Sequence, residues 1–369
     1  MNAENDIQEW LLLSRIPGMG PRTCSALLQD FGTPQGIFAA SPQQLASRGL
    51  RDKTVAGICN PPPQDLIAAD LKWLGREGNQ ILTLHHPAYP ALLKELPDPP
   101  PLLYVTGDIR LLSQPQIAMV GSRNPTPSGL DTALAFAASL SQYGYIVTSG
   151  LALGIDGASH RGALDRGAPT VAVMGTGLDH IYPASHRELA ARIAGNGVLI
   201  SEFPIGTPPS RKNFPRRNRL ISGLSLGTLV VEAAVNSGSL ITARMALEQG
   251  REIFAIPGSI HSPQSRGCHA LIREGAKLVE GIDDILEELG AFSRPVPMFQ
   301  DNDETASGNT EYDPLQQKVL DHIDYTPTTI DMLVTRTGLT ADRLSSILLW
   351  LELQNRIVSL SGGTFTRLK

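Results

Sequence analysis

IAMVGSRNPTPSGLDTALAFAASLSQYGYIVTSG, residues 117–150, runs from one apolar stretch through a glycine turn and a helical pattern into a second apolar stretch. IAMV is continuously apolar, which predicts a strand covered on both faces. Apolar residues then return at helical spacing in LDTALAFAASLSQYG (130–144), and YIVTSG (145–150) is again strand-like. Strand, helix and strand in that order make a parallel crossover unit. The same alternation extends outward. QILTL (80–84) and LLYVTG (102–107) come before it, and TVAVMG (170–175), VLISE (198–202), TLVVEA (228–233), EIFAIPG (252–258) and KLVE (277–280) come after. The pattern predicts an extended Rossmann-like α/β domain over residues 66–290, with a doubly wound, mostly parallel sheet. Several of these runs end in Gly or Ser, as ligand-binding loops at the carboxyl edge of such a sheet do.

At 369 residues the chain exceeds one comfortable core, and its flanks read differently. Residues 1–65 hold short helical patterns, EWLLLSRI, PRTCSALLQDFG and SPQQLASRG, closed by the proline run of CNPPPQD (59–65). This segment is helical and SAM- or helix-hairpin-helix-like. In SRIPGMGPRTCSALL (14–28), Gly18 and Gly20 form a turn between helices, placing backbone N–H groups with Arg15 and Arg22 where a DNA phosphate could meet them. A helical domain that binds only protein has the same pattern. Residues 291–313 read as an acidic flexible linker. Residues 314–369 contain three helical patterns and a hairpin, RIVSLSGGTFTRL, with a Gly-Gly turn, a winged-helix arrangement. The helix in the recognition position offers only Arg343 and Arg356 beside Asp342 and Glu352, a poor donor set for reading bases. A structural or partner-binding role fits better.

Hydrophobic content of 41% with 18% charged residues is that of a soluble globular protein. Cys24, Cys59 and Cys268 are far apart and odd in number, so neither a disulfide framework nor a zinc site is expected. There is no signal-peptide pattern and no apolar run near the roughly 18 residues of a membrane span, which predicts a cytoplasmic protein. The net charge is −5, but its distribution matters more. Between residues 281 and 313 nine carboxylates face Arg294 alone, so the rest of the chain is net positive. There, SRKNFPRRNR (210–219) packs Arg211, Lys212, Arg216, Arg217 and Arg219 into ten residues without an acid.

Four segments carry candidate chemistry. Gly121-Ser122-Arg123 follows a strand and opens a helix, which gathers N–H groups, a hydroxyl and a guanidinium at a helix N-terminus, an anion site. It is neither a dinucleotide fingerprint nor an NTPase phosphate loop, so no nicotinamide cofactor or nucleotide is implied. SGLALGIDGASHRGAL (149–164) lets a loop approach a ligand closely at Gly150, Gly154 and Gly157, while His160 reads as a packed structural histidine. In GTPPSRKNFPRRNRLISGLS (206–225) five cations surround Phe214, the combination that holds a single strand by its backbone and stacks a base. The competing reading is a solvated basic loop with Phe214 in the core. In VVEAAVNSGSLITA (230–243), Ser237, Gly238 and Ser239 form a second phosphate cradle at the same sheet edge. Glu232 ends a strand and has no partnered base or metal cluster, so no catalytic residue and no metal site are assigned.

In order and spacing, GSR (121–123), SGLALGIDGASH (149–160), LISEFPIGTPP (199–209), FPRRNRLISGLS (214–225), VVEA (230–233), SGSLITA (237–243) and PGS (257–259) followed by LIREGA (271–276) resemble the DprA/Smf family. The resemblance implies a non-enzymatic DNA processing protein that protects incoming single-stranded DNA and loads the RecA recombinase onto it in natural transformation. It further implies that Gly121, Ser122 and Arg123 with Gly150 hold phosphate and that Lys212 and Phe214 meet the strand and a base. Arg217, Asn218 and Arg219 would line the pocket, with Ser237, Gly238 and Ser239 opposite. A homodimer through the central domain and a RecA contact are implied as well. Leu153 departs from the family pattern, which often has Lys or Arg there, and the resemblance then implies one backbone contact fewer and a modestly lower affinity. The alternative is a nucleotide-processing enzyme of the lysine-decarboxylase-like type, which shares the sheet and predicts loss of turnover on Glu232→Gln.

Overall fold

The apolar run at Ile117 lies in the interior of a large sheet. The structure is a computed structural model describing residues 3–290 and 313–368, apart from 326, 355, 361 and 362. Nine strands pair in this sheet: β1 (Asn79–Thr83), β2 (Leu102–Gly107), β3 (Gln116–Val120), β4 (Ile146–Ser149), β5 (Thr170–Val173), β6 (Val198–Ser201), β7 (Gly227–Val230), β8 (Glu252–Ala255) and β9 (Lys277–Leu278). Their order is β1-β2-β6-β5-β4-β3-β7-β8-β9. β3 pairs in parallel with β4 on one side, Ile117 opposite Val147, and with β7 on the other, Ile117 opposite Gly227. From β3 the chain steps out through β4, β5 and β6, then returns to β7 and continues through β8 and β9. The loops after β3 and β7 therefore part at their carboxyl ends, which makes this the topological switch point where such sheets bind ligands. β2 runs antiparallel to β6, and β1 antiparallel to β2.

Six helices precede the sheet: α1 (Ala3–Arg15), α2 (Pro21–Phe31), α3 (Pro34–Phe38), α4 (Pro42–Ala46), α5 (Asp52–Cys59) and α6 (Ala68–Leu74). Proline at the first position pre-sets φ for α2, α3 and α4, and the Thr33 and Ser41 side chains cap α3 and α4. α3, five residues long, is too short to show a helical period in the sequence. Leu11, Leu27, Ile37, Leu45 and Ile58 share a core with Tyr104 and Leu199 on one face of the sheet. Buried Asp70 fastens the joint, accepting hydrogen bonds from Arg15, from the Tyr104 hydroxyl at 2.8 Å and from the Ile205 N–H at 3.1 Å. Arg15, expected near a phosphate, is thus committed to Asp70. The hairpin turn itself rests on α5, where Thr54 donates to the Pro17 carbonyl at 2.9 Å.

α7 (Ala91–Lys94) is a short connection before β2. The crossovers that follow are α8 (Pro127–Gln142), α9 (Ile155–Leu164), α10 (Arg187–Asn196), α11 (Asn213–Gly223), α12 (Ser239–Glu248) and α13 (Arg266–Arg273), with α14 (Ile282–Leu289) after β9. Leu220 and Ile221 of α11 and Leu240 and Ala243 of α12 pack on Val105, Val120, Val173 and Ile200. Leu164 of α9 and Leu189 and Ile193 of α10 lie in the core of the opposite face. With both faces covered, every residue of β3 to β7 is buried, as continuous apolar runs require.

The C-terminal residues from 313 form their own unit. α15 (Pro314–Asp321), α16 (Ile330–Thr337) and α17 (Ala341–Leu353) surround Leu333, Leu344, Leu348, Leu351 and Ile357. β10 (Thr328–Thr329), β11 (Ile357–Leu360) and β12 (Thr364–Arg367) pair in the order β10-β12-β11. The expected hairpin is present as β11 and β12. Its turn at 361–362, and the acidic segment up to residue 312, lie outside the described residues. Among the described residues no helix is long and apolar enough to cross a membrane.

Candidate nucleic-acid interface

The carboxyl ends of β3 and β7 open on a cavity of about 790 Å³. Gly121, Ser122, Arg123 and Asn124 line it from the loop after β3, and Asn236, Ser237, Gly238 and Ser239 from the loop after β7. The two loops are tied together: the Ser122 N–H donates to the Glu232 carbonyl at 2.7 Å. Ser237 and Ser239 join hydroxyls at 2.7 Å beside the start of α12, the positive end of that helix.

α11 forms the third wall. Phe214, Arg217, Asn218 and Ile221 face the cavity at helical spacing. Arg217 is only 4% exposed. Its guanidinium donates to the carbonyls of Gly150 and Val173, and its Nε donates to Asn218 Oδ1 at 3.1 Å. A Cβ at residue 150 would sit 2.6 Å from that guanidinium, so any larger residue there would displace Arg217 from its two carbonyls. The Gly150 N–H in turn donates to Asp156 Oδ2 at 3.1 Å, and Ala152 N–H adds a second bond at 3.3 Å. Burial raises the Asp156 carboxyl above its usual range, a shift that neighbouring Arg217 opposes. Burial also lowers the Arg217 guanidinium to about 10, which leaves it charged at neutral pH. Arg217 is a positively charged strut in the wall, holding two strand ends at fixed spacing.

Phe214 is half-buried at the mouth rather than tucked into the core. The Arg123 guanidinium carbon lies 5.6 Å from its ring centroid. The Tyr182 ring lies at the same centroid distance, tilted by 33°. The ring fits because residue 175 is glycine: a Cβ there would come within 2.8 Å of it. Phosphate-sized loops, cations and an aromatic face thus meet in one opening.

Residues 80–290 match the family described as DNA recombination-mediator protein A, and residues 303–363 match the DprA winged helix domain. Protein Smf of Escherichia coli (strain K12) is 41% identical over 315 residues, covering 83% of this chain and 82% of its own length. The chain belongs to the DprA/Smf family. The crystal structure of DNA processing protein A from Streptococcus pneumoniae is similar at a TM-score of 0.66 and 34% identity, covering 78% of this chain and 98% of that one. DNA processing protein A from Helicobacter pylori, whose structure is described for its unique single-stranded DNA binding mode, matches at a TM-score of 0.52 and 32% identity. It covers 57% of this chain and 95% of its own.

In this DprA/Smf chain the sequence-expected residues separate into three groups. Gly121, Ser122, Arg123, Phe214, Arg217, Asn218, Ser237, Gly238 and Ser239 meet in the cavity. Gly150 lies just behind it, against Arg217, and lines a smaller adjoining cavity. Lys212 is exposed just ahead of α11, outside the cavity lining, whereas Arg211 is within it. Arg219 is not brought to the cavity. At about 100° per residue it points some 200° around α11 from Arg217. There its side chain, 9% exposed, donates to the Asp98 carbonyl at 2.7 Å and to Glu202 Oε2 at 2.6 Å. Arg216 turns the same way, to Glu202 at 3.0 Å. Tyr182, Asn124 and Gln264 also line the opening, and no local pattern in the sequence announces them.

His160 is fully buried. The Thr170 hydroxyl donates to the Val147 carbonyl at 2.6 Å, so its contact with His160 Nδ1 at 2.8 Å makes that nitrogen the donor. Nε2 is then an acceptor without a partner among the described residues, and burial lowers the imidazole to about 3. The ring is neutral and structural. Glu232 is absent from the cavity lining.

Proposed function

We propose that this chain grips single-stranded DNA in the switch-point cavity and does no chemistry on it. The observation that carries the reading is the meeting of two phosphate-sized loops with an aromatic ring flanked by a guanidinium. Loops and cations hold a backbone of any sequence, and the ring accepts the face of any unpaired base. The single-strand binding mode described for the Helicobacter pylori relative supports it.

On the same reading the strand is protected and handed to RecA in recombination and natural transformation, in the cytoplasm. Residues 1–65, 66–290, 291–313 and 314–369 act as helical accessory, DNA-binding domain, linker and winged helix. The chain works as a homodimer through the central domain. Exposed Leu247, Ile260 and Leu278, on elements at the β8–β9 end of the sheet, support an interface there. The enzyme alternative rests on Glu232, whose place outside the cavity lining weighs against it.

The test is a titration of dT oligomers at several salt concentrations with a duplex control, sedimentation for the dimer, and RecA filament growth with and without the chain. Binding should favour the single strand and fall steeply with salt. Equal affinity for duplex, or specific nucleotide turnover abolished by Glu232→Gln, would overturn the reading.

A further inference from the structure

Among the described residues, Leu151 is the one non-glycine whose backbone is left-handed, at φ 57°. Its side chain is fully buried, and a bulky residue in that region is strained. The surroundings impose the conformation. Side chains from three separate elements grip three consecutive peptide groups. Asp156 of α9 accepts from the Gly150 and Ala152 N–H groups at 3.1 and 3.3 Å, and Arg217 of α11 donates to the Gly150 carbonyl. His186, at the end of the short turn Ala184–His186 ahead of α10, meets the Leu151 carbonyl with Nδ1 at 3.0 Å. A carbonyl only accepts, so Nδ1 carries the proton. The ring is buried and packs on bare Gly157, where a Cβ would lie 2.7 Å from its Cε1.

The loop so held abuts the phosphate loop after β3. The Ile155 N–H donates to the Ser122 carbonyl at 3.1 Å. Gly154, at φ 76°, lies so close that a Cβ there would overlap the Ser122 carbonyl oxygen and come within 2.8 Å of the Arg123 carbonyl carbon. Asp156 and Arg217 line the cavity, whereas His186 does not. We propose that His186 is a positioning residue for the grip: through the Leu151 carbonyl it holds loop 150–155 in its strained form, and that loop sets Ser122 and Arg123 against phosphate. This rests on the single-strand reading above. Strain of this kind persists only where the surroundings over-determine it. Without the His186 bond, Leu151 relaxes out of the left-handed region, Gly154 shifts, and the Ser122–Arg123 backbone loses its support. The histidine thus acts on the strand without touching it.

The experiment titrates the full-length chain with dT oligomers at several salt concentrations. His186→Phe keeps a ring on Gly157 but removes the donor; it should weaken binding about tenfold and flatten the salt slope by about 0.7, one single-strand phosphate contact. His186→Asn offers an amide N–H in place of Nδ1 and should recover affinity to within about threefold, with the wild-type slope. Gly154→Ala, which disturbs the same contact from the other side of the loop, should match His186→Phe. Neither should add to the loss in Arg123→Ala, because the coupled groups are then already apart. Full additivity, a wild-type slope in both variants, or no recovery by Asn would overturn the positioning role. Amide hydrogen exchange reads the loop without DNA: His186→Phe should speed it about tenfold at Gly150, Ala152 and Ile155, with Ala118 and Val147 in the strands unchanged. Faster exchange with wild-type dT affinity would overturn the positioning role alone. Failure of the wild type to bind dT would overturn the single-strand reading itself.

Discussion

Helices α11 and α17 are the two elements whose positions in their folds would suit contact with DNA, and they present opposite surfaces. α11 begins beside exposed Arg211 and Lys212, offers Phe214 at a cavity mouth, and uses Arg217 and Arg219 as internal struts. α17 exposes Asp342 and Arg343 near its start and then Leu349 and Leu353, 59% and 72% exposed, farther along. The first surface suits a polyanion with unpaired bases; the second suits an apolar partner. A helix in a DNA-binding type of fold is therefore no evidence of DNA contact. What decides is which side chains the fold leaves uncommitted.

The largest expected effect tests the α11 side. Arg123→Ala combined with Lys212→Ala should weaken dT binding roughly a hundredfold at low salt. It should also flatten the salt slope by about 1.4, two single-strand phosphate contacts. Arg343→Ala in α17 should leave binding within about twofold, and an equal loss there would erase the contrast.

Arg219→Ala should separate strut from ligand. It removes a partner of buried Glu202 and should cost about 3 kcal/mol of unfolding free energy in urea, with dT affinity of the folded protein unchanged. Loss of affinity without loss of stability would return Arg219 to the site. Phe214→Ala should weaken dT binding about tenfold with the slope intact, since stacking releases no counterions.

The smallest effect concerns acid. Folded His160 titrates near 3 against an unfolded value of 6.5, so between those values the unfolded chain binds the extra proton. The stability this contributes is complete above about pH 6.5 and declines as pH falls toward 3. His160→Gln should reduce the pH dependence of the urea midpoint in that window. An unchanged slope would mean that the ring takes its proton while folded.

The strands were legible because parallel strands covered on both faces leave continuous apolar runs, and IAMV, YIVTSG and TVAVMG are such runs. The two phosphate loops were legible for a local reason: each is a short glycine- or serine-rich link from a strand to a helix. Helices α3 and α5 were not, being too short to impose a period. The roles of the five cations at 210–219 were not legible either, because side chains one residue apart on a helix point about 100° apart. Composition alone cannot say which of them the sheet edge covers.

What the sequence by itself determined was the alternation of strand and helix, the position of the two loops and the local excess of positive charge, all properties of neighbours along the chain. Tertiary structure alone decided that Arg217 braces the wall, that Arg219 turns to Glu202, and that Tyr182 comes to stand beside Phe214. The Arg219 pairing folds one crossover back on itself, whereas Arg217 and Tyr182 reach partners that belong to other strands and crossovers. The Arg217 and Tyr182 pairings exist only once the strand order has brought the ends of β4, β5 and β6 to one edge.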